Sequence, residues 1–186
     1  MDKKEIFRRI LHSMAWIYLI FYIFPTNIFG FHRKILLLFV IIVILSFEAL
    51  RIHFGFQVFG MRSYEKRQIA AYAWATMAAS IGLFSFPMHL NVLCLIGMGI
   101  ADPIIGELNK YKPEYYPYLP LLIWAIIGII TLTILTNFSI VFILMLSAVG
   151  SITAIGIEKP NLVIDDDFLM VLVPLVILRI IELMLI

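Results

Sequence analysis

A single cysteine, Cys94, in 186 residues leaves no disulfide framework and no cysteine metal cluster to consider. Charge is equally sparse: 14% of residues carry one, and a net charge of +2 is too small to point to a nucleic-acid partner. The histidines, His12, His32, His53 and His89, are scattered without metal-ligand spacing, which argues against zinc hydrolysis. The chain lacks a P-loop, a GxGxxG fingerprint and a GxSxG nucleophile elbow. Nor does it contain an internal repeat, a low-complexity segment or a domain linker, so its length fits one domain, residues 1–186. No small-residue cleavage site follows the first apolar run, and a retained helix is expected there instead of a removed leader.

What the chain has in abundance is apolar side chains. They make up 63% of it, and the mean hydropathy is +1.04, which specifies a membrane solvent. The apolar runs are continuous where a membrane barrel would alternate, so the expected fold is an all-α, polytopic helical bundle. Seven spans fit, at about 10–29, 35–52, 69–86, 90–108, 117–136, 140–157 and 168–186. With the N-terminus in the cytoplasm, the inner side carries Lys3, Lys4, Arg8, Arg9, Arg51, Arg62, Lys66, Arg67, Lys110, Lys112 and Lys159, and the outer side only Arg33 and Lys34. By the positive-inside rule this sets the orientation. The membrane is the cell membrane in a prokaryote or that of the endoplasmic reticulum in a eukaryote. Nearly every chemically capable side chain then faces the cytoplasm.

The stretch Gly97–Lys112 is the most informative one. It sets Asp102 inside an apolar run, where an ionised carboxylate costs about 3 kcal/mol on insertion scales. Gly99 and Gly106 lie at i−3 and i+4, so a helical reading gives Asp102 a face on which a ligand or another helix can approach closely. Pro103 cannot donate to the carbonyl of Gly99. A kinked helix whose Asp102 is satisfied by its neighbour accounts for this stretch equally well.

Other charges recur in pairs. Glu48 with Arg51, and Arg62 with Glu65, are spaced i,i+3, and singly each reads as a solvated helix edge worth about 0.2–0.5 kcal/mol. Asp165, Asp166 and Asp167 precede the last span, where one can cap it and the others favour its positive end. That leaves Glu158 and at least one aspartate over. Arg179 and Glu182 read as an interfacial pair at the far end of the same span. Carboxylates that hold Mg²⁺, guanidinium groups that clamp phosphates and spans that deliver a lipid together suit phosphoryl transfer at a membrane face.

The order of these elements resembles the CTP-dependent polyprenol kinase family of dolichol, phytol and CTP-dependent diacylglycerol kinases, related to the phosphatidate cytidylyltransferases. Arg8-Arg9-Ile10-Leu11-His12-Ser13 is similar to the family's opening R-K-x-x-H-x-S, Glu48-Ala49-Leu50-Arg51 to its E-x-x-R, and Arg62-Ser63-Tyr64-Glu65 to its R-x-x-E. Phe86-Pro87 matches a phenylalanine-proline pair, Ala101-Asp102-Pro103-Ile104-Ile105-Gly106 resembles the G/A-D-P/T-x-A-x-x-G core, and Glu158 with Asp165-Asp166-Asp167 and Pro174 resembles the closing E…D-D-N-x-x-I-P. The chain departs from the family at Gly106–Pro117, where no K-S/T-x-E-G follows, and at Asp167, which stands in place of the asparagine.

The resemblance implies transfer of the γ-phosphate of CTP to the hydroxyl of an isoprenoid or diacylglycerol-type lipid alcohol at the cytoplasmic face, with Mg²⁺. It casts Asp102 as a metal ligand or as the base near the attacking hydroxyl, and Asp165, Asp166 and Glu158 as further metal or nucleotide ligands. Arg51, Arg62 and Glu65 would serve the nucleotide phosphates, and Lys110 or Lys112 would shield developing charge. Two other readings compete: a catalytically silent member of the same fold that binds a lipid phosphate or a partner, and a small transporter with Asp102 as an intramembrane ion site.

Overall fold

A computed structural model describes residues 7, 10, 14–61, 63–158 and 164–185. The described residues form seven α-helices and one small hairpin. A 3-10 turn over Met14–Leu19 leads into α1, Ile20–Ile23. The strands β1, Asn27–Ile28, and β2, Phe31–His32, pair with Asn27 opposite His32 and Ile28 opposite Phe31. Then come α2, Arg33–Phe54, and α3, Ala71–Ser85, followed by α4, Met88–Tyr111, and α5, Tyr118–Leu135. The last two are α6, Ile140–Glu158, and α7, Asp166–Leu185.

Five of these, α2, α4, α5, α6 and α7, are long and apolar enough to cross a membrane, as the seven-span reading requires of its second and last four members. The third expected span is α3, whose 15 residues reach about 22 Å at about 1.5 Å each. The first is represented by Met14–Ile23, which stops well short of Phe29. Pro25 explains the stop: it forces Phe24 into an extended conformation (ψ 143°), and the chain then turns through Phe29 and Gly30, both at positive φ, to form the hairpin. Arg33 closes the end of α1 by donating from Nη1 to the carbonyls of Phe24 at 3.1 Å and Phe21 at 3.3 Å.

The core lies where α4 through α7 meet, with α3 packed on α7 and the Met14–Leu19 turn on α4. Small residues set how closely these helices approach. Trp124 of α5 is fully buried and lies between Gly97 of α4 and Gly150 of α6, where a β-carbon on either glycine would overlap its indole ring. Close approach at small residues is the usual device of membrane helices, which gain nothing from apolar burial alone in lipid. At the joint between α3 and α4, fully buried Asn91 donates to the carbonyls of Gly82 at 3.0 Å and Phe86 at 2.9 Å, and to the Tyr22 hydroxyl at 2.9 Å. By contrast α2 is peripheral: its only buried residues are Glu48 and Arg51, and its apolar side chains face outward as lipid-facing ones do. Helix α4 continues through Pro103 without a break.

Two outcomes are expected. Gly150→Ala should lower stability in detergent by about 1–3 kcal/mol, the usual cost of overpacking, read as an earlier thermal midpoint. Cysteines at exposed Lys66 and Asn137, before α3 and after α5, should label from opposite membrane faces, with buried Cys94 silent. Labelling from one face would mean that short α3 does not cross.

Candidate functional site

Short connections make successive helices antiparallel, so the end of α2, the start of α3, the end of α4, the start of α5, the end of α6 and the start of α7 share one end of the bundle. Glu158, the last residue of α6, is half-buried there. Its Oε2 accepts a hydrogen bond from the Tyr116 hydroxyl at 2.8 Å, and its Oε1 accepts one from Asn109 Nδ2 at 3.5 Å. Burial and the adjoining carboxylate push the Tyr116 hydroxyl above its ordinary value, so it remains a donor. Asp102 of α4 and Asp166 of α7 lie close enough to Glu158 for their charges to act on it.

Carboxylates from three helices are thus gathered at one end. Asp165, Asp166 and Asp167 also each present an oxygen within 4.8 Å of the others. Asp165 does what its position before a span suggests: its Oδ1 accepts from the Asp167 N–H at 3.1 Å and caps α7. Asp102 and Asn109 lie on one face of α4, seven residues apart, with Gly106 between them. A β-carbon on Gly106 would meet nothing within 4 Å, so that face is open beside the acids. Among the described residues, Asp165, Asp166 and Asp167 are the acids whose oxygens come together closely enough to share an ion, and an all-oxygen set of this kind suits a hard divalent cation such as Mg²⁺.

Beside the acids is an apolar cavity of about 280 Å³. Its walls come from the Met14–Leu19 turn, the 58–61 loop, the start of α3 and Met98 of α4. Two buried acids, Glu65 and Asp167, reach it. Asp167 therefore joins the cavity to the carboxylate group, because its backbone neighbours Asp165 and Asp166 belong to the latter.

Glu48 and Arg51 are not the solvated edge their spacing suggests. Arg51 is fully buried and forms a fork on Glu48, Nε to Oε2 at 2.7 Å and Nη2 to Oε1 at 2.8 Å. The same guanidinium donates to the carbonyls of Gln68 at 2.5 Å and Lys66 at 3.5 Å, while Glu48 accepts from the Ala70 N–H at 2.6 Å and the Tyr72 hydroxyl at 2.5 Å. Its role in this geometry is to fasten the 66–72 segment to α2. Glu65 is likewise buried, and its Oε1 accepts from the Ala71 N–H at 3.2 Å at the start of α3.

Lys110 and Lys112 are exposed, each over a tyrosine ring, Tyr111 at 5.3 Å and Tyr115 at 5.8 Å. Arg62 lies outside the described residues, as do Arg8, Arg9, His12 and Lys159. At the opposite end of the bundle Arg179 Nη1 pairs with Glu182 Oε2 at 2.7 Å. There the spacing told only half of the arrangement, since buried Glu182 also meets His89 Nε2 of α4 at 3.0 Å.

Sequence reasoning missed Tyr116, Asn109 and Tyr72, and it read Asp167 as one of the acids at the start of the last span and as a departure from a motif, not as a wall of a cavity. Asn109 could have been found, as the polar residue two turns beyond Asp102 on one helix face. Nothing in the local sequence marks Tyr116 or Tyr72, whose partners lie on other helices.

Removing one half of the buried fork should be costly. Arg51→Ala leaves Glu48 buried and uncompensated, and a loss of about 3–5 kcal/mol is expected, measured by thermal unfolding in detergent. Arg51→Lys should recover only part of it, because an ammonium cannot make the two-pronged contact. A melting curve unchanged in both variants would show that the fork does not hold the segment. Comparison of the chain with protein-family models, with curated proteins and with solved structures gives no match.

Proposed function

We propose that the protein is a CTP-dependent lipid-alcohol kinase, transferring the γ-phosphate of CTP to a polyprenol-like or diacylglycerol-type hydroxyl at the cytoplasmic face. The observation that carries this reading is the group of Asp165, Asp166 and Asp167 at the start of α7, whose last member lines an apolar cavity, with Glu158 of α6 near enough to feel the charges of Asp166 and of Asp102 from α4. Phosphoryl transfer needs little covalent chemistry from a protein; it needs reactants aligned and negative charge compensated. In the reaction the alcohol O–H loses its proton, its oxygen bonds to the γ-phosphorus, and the bond from that phosphorus to the β-bridging oxygen breaks to release CDP.

Asp102, Asp165, Asp166 and Glu158 would hold Mg²⁺, which supplies compensation for the phosphate charge. Asp102 alternatively takes the proton of the alcohol. Tyr116 and Asn109 orient Glu158 through their hydrogen bonds. Lys110, Lys112 and Arg62 are the cations assigned to the nucleotide phosphates. Arg51 acts from behind, as a positioning residue for the segment that carries Glu65 and Tyr72. The same engagement of Arg51 favours a second reading, a catalytically silent fold that retains lipid binding, because this guanidinium has few donors left for a phosphate.

Purified protein given γ-labelled CTP or ATP, Mg²⁺ and a panel of lipid alcohols separates the two. The kinase reading expects a labelled lipid phosphate with CTP, abolished by chelation. It also expects Asp102→Asn to lower the rate by about 10²–10³ without lowering the melting temperature, since a neutral amide is easier to bury than a carboxylate. No labelled lipid with any alcohol leaves the silent reading standing. A variant that melts early while its folded fraction still turns over CTP would assign Asp102 to helix packing.

A further inference from the structure

We propose that the cavity beside Asp167 binds a lipid by a head group that donates a hydrogen bond, as an alcohol does, and that Tyr18 Oη is the acceptor. Most of the wall is apolar, from Ile17, Phe59, Ala75 and Met98 among others, which suits a hydrocarbon occupant. Selectivity for the head then falls to the few polar side chains on the wall, and Tyr18 and Tyr72 supply its hydroxyls.

A hydroxyl carries one hydrogen, and the chain of hydrogen bonds behind Tyr18 fixes where that hydrogen points. Thr76 Oγ1 donates to the carbonyl of Tyr72, one turn back on α3, at 2.7 Å. With its own hydrogen used, Thr76 can only accept from Tyr18, whose Oη lies 2.7 Å away. Tyr18 Oη is therefore a committed donor that keeps its lone pairs, and among the described residues Thr76 is its one hydrogen-bond partner. The Tyr72 hydrogen is likewise taken, by Glu48. A ligand that brings a hydrogen finds an acceptor in Tyr18, whereas an ether oxygen in the same place sets lone pairs against lone pairs. Tyr18 also sits at the acid end of the cavity, near enough to Asp167 for that charge to act on its hydroxyl.

The volume of about 280 Å³ is just below the usual range of ligand pockets, about 300–1,000 Å³, so the cavity takes the head end of a lipid. The remainder continues past Ile17 and Phe59, which are both exposed. In phosphoryl transfer the bond to Tyr18 would hold the acceptor oxygen beside the carboxylates until its hydrogen passes to one of them. That consequence rests on the kinase reading; recognition of a hydrogen-donating head does not.

The test therefore uses the full chain in detergent with neither nucleotide nor metal present. Binding of tritiated hexadecanol is measured by scintillation proximity and competed with unlabelled hexadecanol or with hexadecyl methyl ether, which keeps the oxygen and lacks the hydrogen. The alcohol should bind about fivefold more tightly than the ether, the scale of one net hydrogen bond. Tyr18→Phe should bring the alcohol down to the ether and leave the ether unchanged, whereas a Tyr18 that only holds its segment in place would weaken both alike. Thr76→Val frees the Tyr18 hydrogen to face the ligand, so the ether should gain and the ratio shrink; this variant serves if the first does not fold. Ala75→Phe, which fills the cavity, should weaken both ligands by about tenfold or more while keeping its helical circular dichroism. Equal affinity for alcohol and ether in the natural protein, a ratio unchanged in Tyr18→Phe and Thr76→Val, or unchanged binding in Ala75→Phe overturns the inference. A protein that selects the alcohol in this way but never consumes CTP would refute the kinase reading and leave the role of Tyr18 intact.

Discussion

The two-pronged contact between Arg51 and Glu48 is the interaction on which the working end depends. Helix α2 buries no other residues, and its remaining polar ties lie at the far end, where Arg33 donates to the carbonyls of Phe21 and Phe24 and Lys34 to that of Phe84 at 3.1 Å, so at this end the fork alone supplies what lipid tails cannot replace. The fork also fixes the segment that leads into α3. Through the carbonyls of Lys66 and Gln68, the Ala70 N–H and the Tyr72 hydroxyl, it holds the residues that start this helix and carry Glu65 to the cavity. A buried pair of opposite charges is a weak source of net stability, yet it is an unforgiving specifier of geometry, because either partner alone is strongly penalised.

At the same end the balance of charge is reversed. Asp102, Glu158 and Asp166 are brought near one another by three different helices, with Asp165 and Asp167 adjoining. Like charges oppose this arrangement, and the Tyr116 and Asn109 donors offset part of that on Glu158. The proposal of a divalent cation at this end rests on this grouping of carboxylates. The glycines of the core serve the same end, since Gly97 and Gly150 let α4 and α6 close on Trp124 and so bring Asp102 and Glu158 into one neighbourhood.

Much of this was legible from residue patterns. Continuous apolar runs specified the helices, and the five longest lie where hydropathy puts them. Pro25 was a visible stop that the span over 10–29 ignored, because hydropathy alone does not register where proline forbids a helix. The clustering of Asp102, Glu158 and Asp166 followed from alternating short loops, which send those residues to a common end. What spacing could not distinguish was a surface pair from a buried one. Glu48 and Arg51 look the same at i,i+3 in either setting, and their burial is decided by the Gln68–Tyr72 segment folding over them. His89 meeting Glu182 is of the same class, a contact between α4 and α7 separated by almost a hundred residues.

The central claim is that residues from α4, α6 and α7 form one divalent-cation site for phosphate chemistry. Electron paramagnetic resonance of Mn²⁺ titrated into the detergent-solubilised protein reads that site directly. The account predicts one tightly bound ion that Mg²⁺ displaces, lost or much weakened in Asp102→Asn, in Glu158→Gln and in Asp166→Asn alike. Tight binding that survives both Asp102→Asn and Glu158→Gln would confine the ion to the start of α7 and contradict the joining of the three helices into one site.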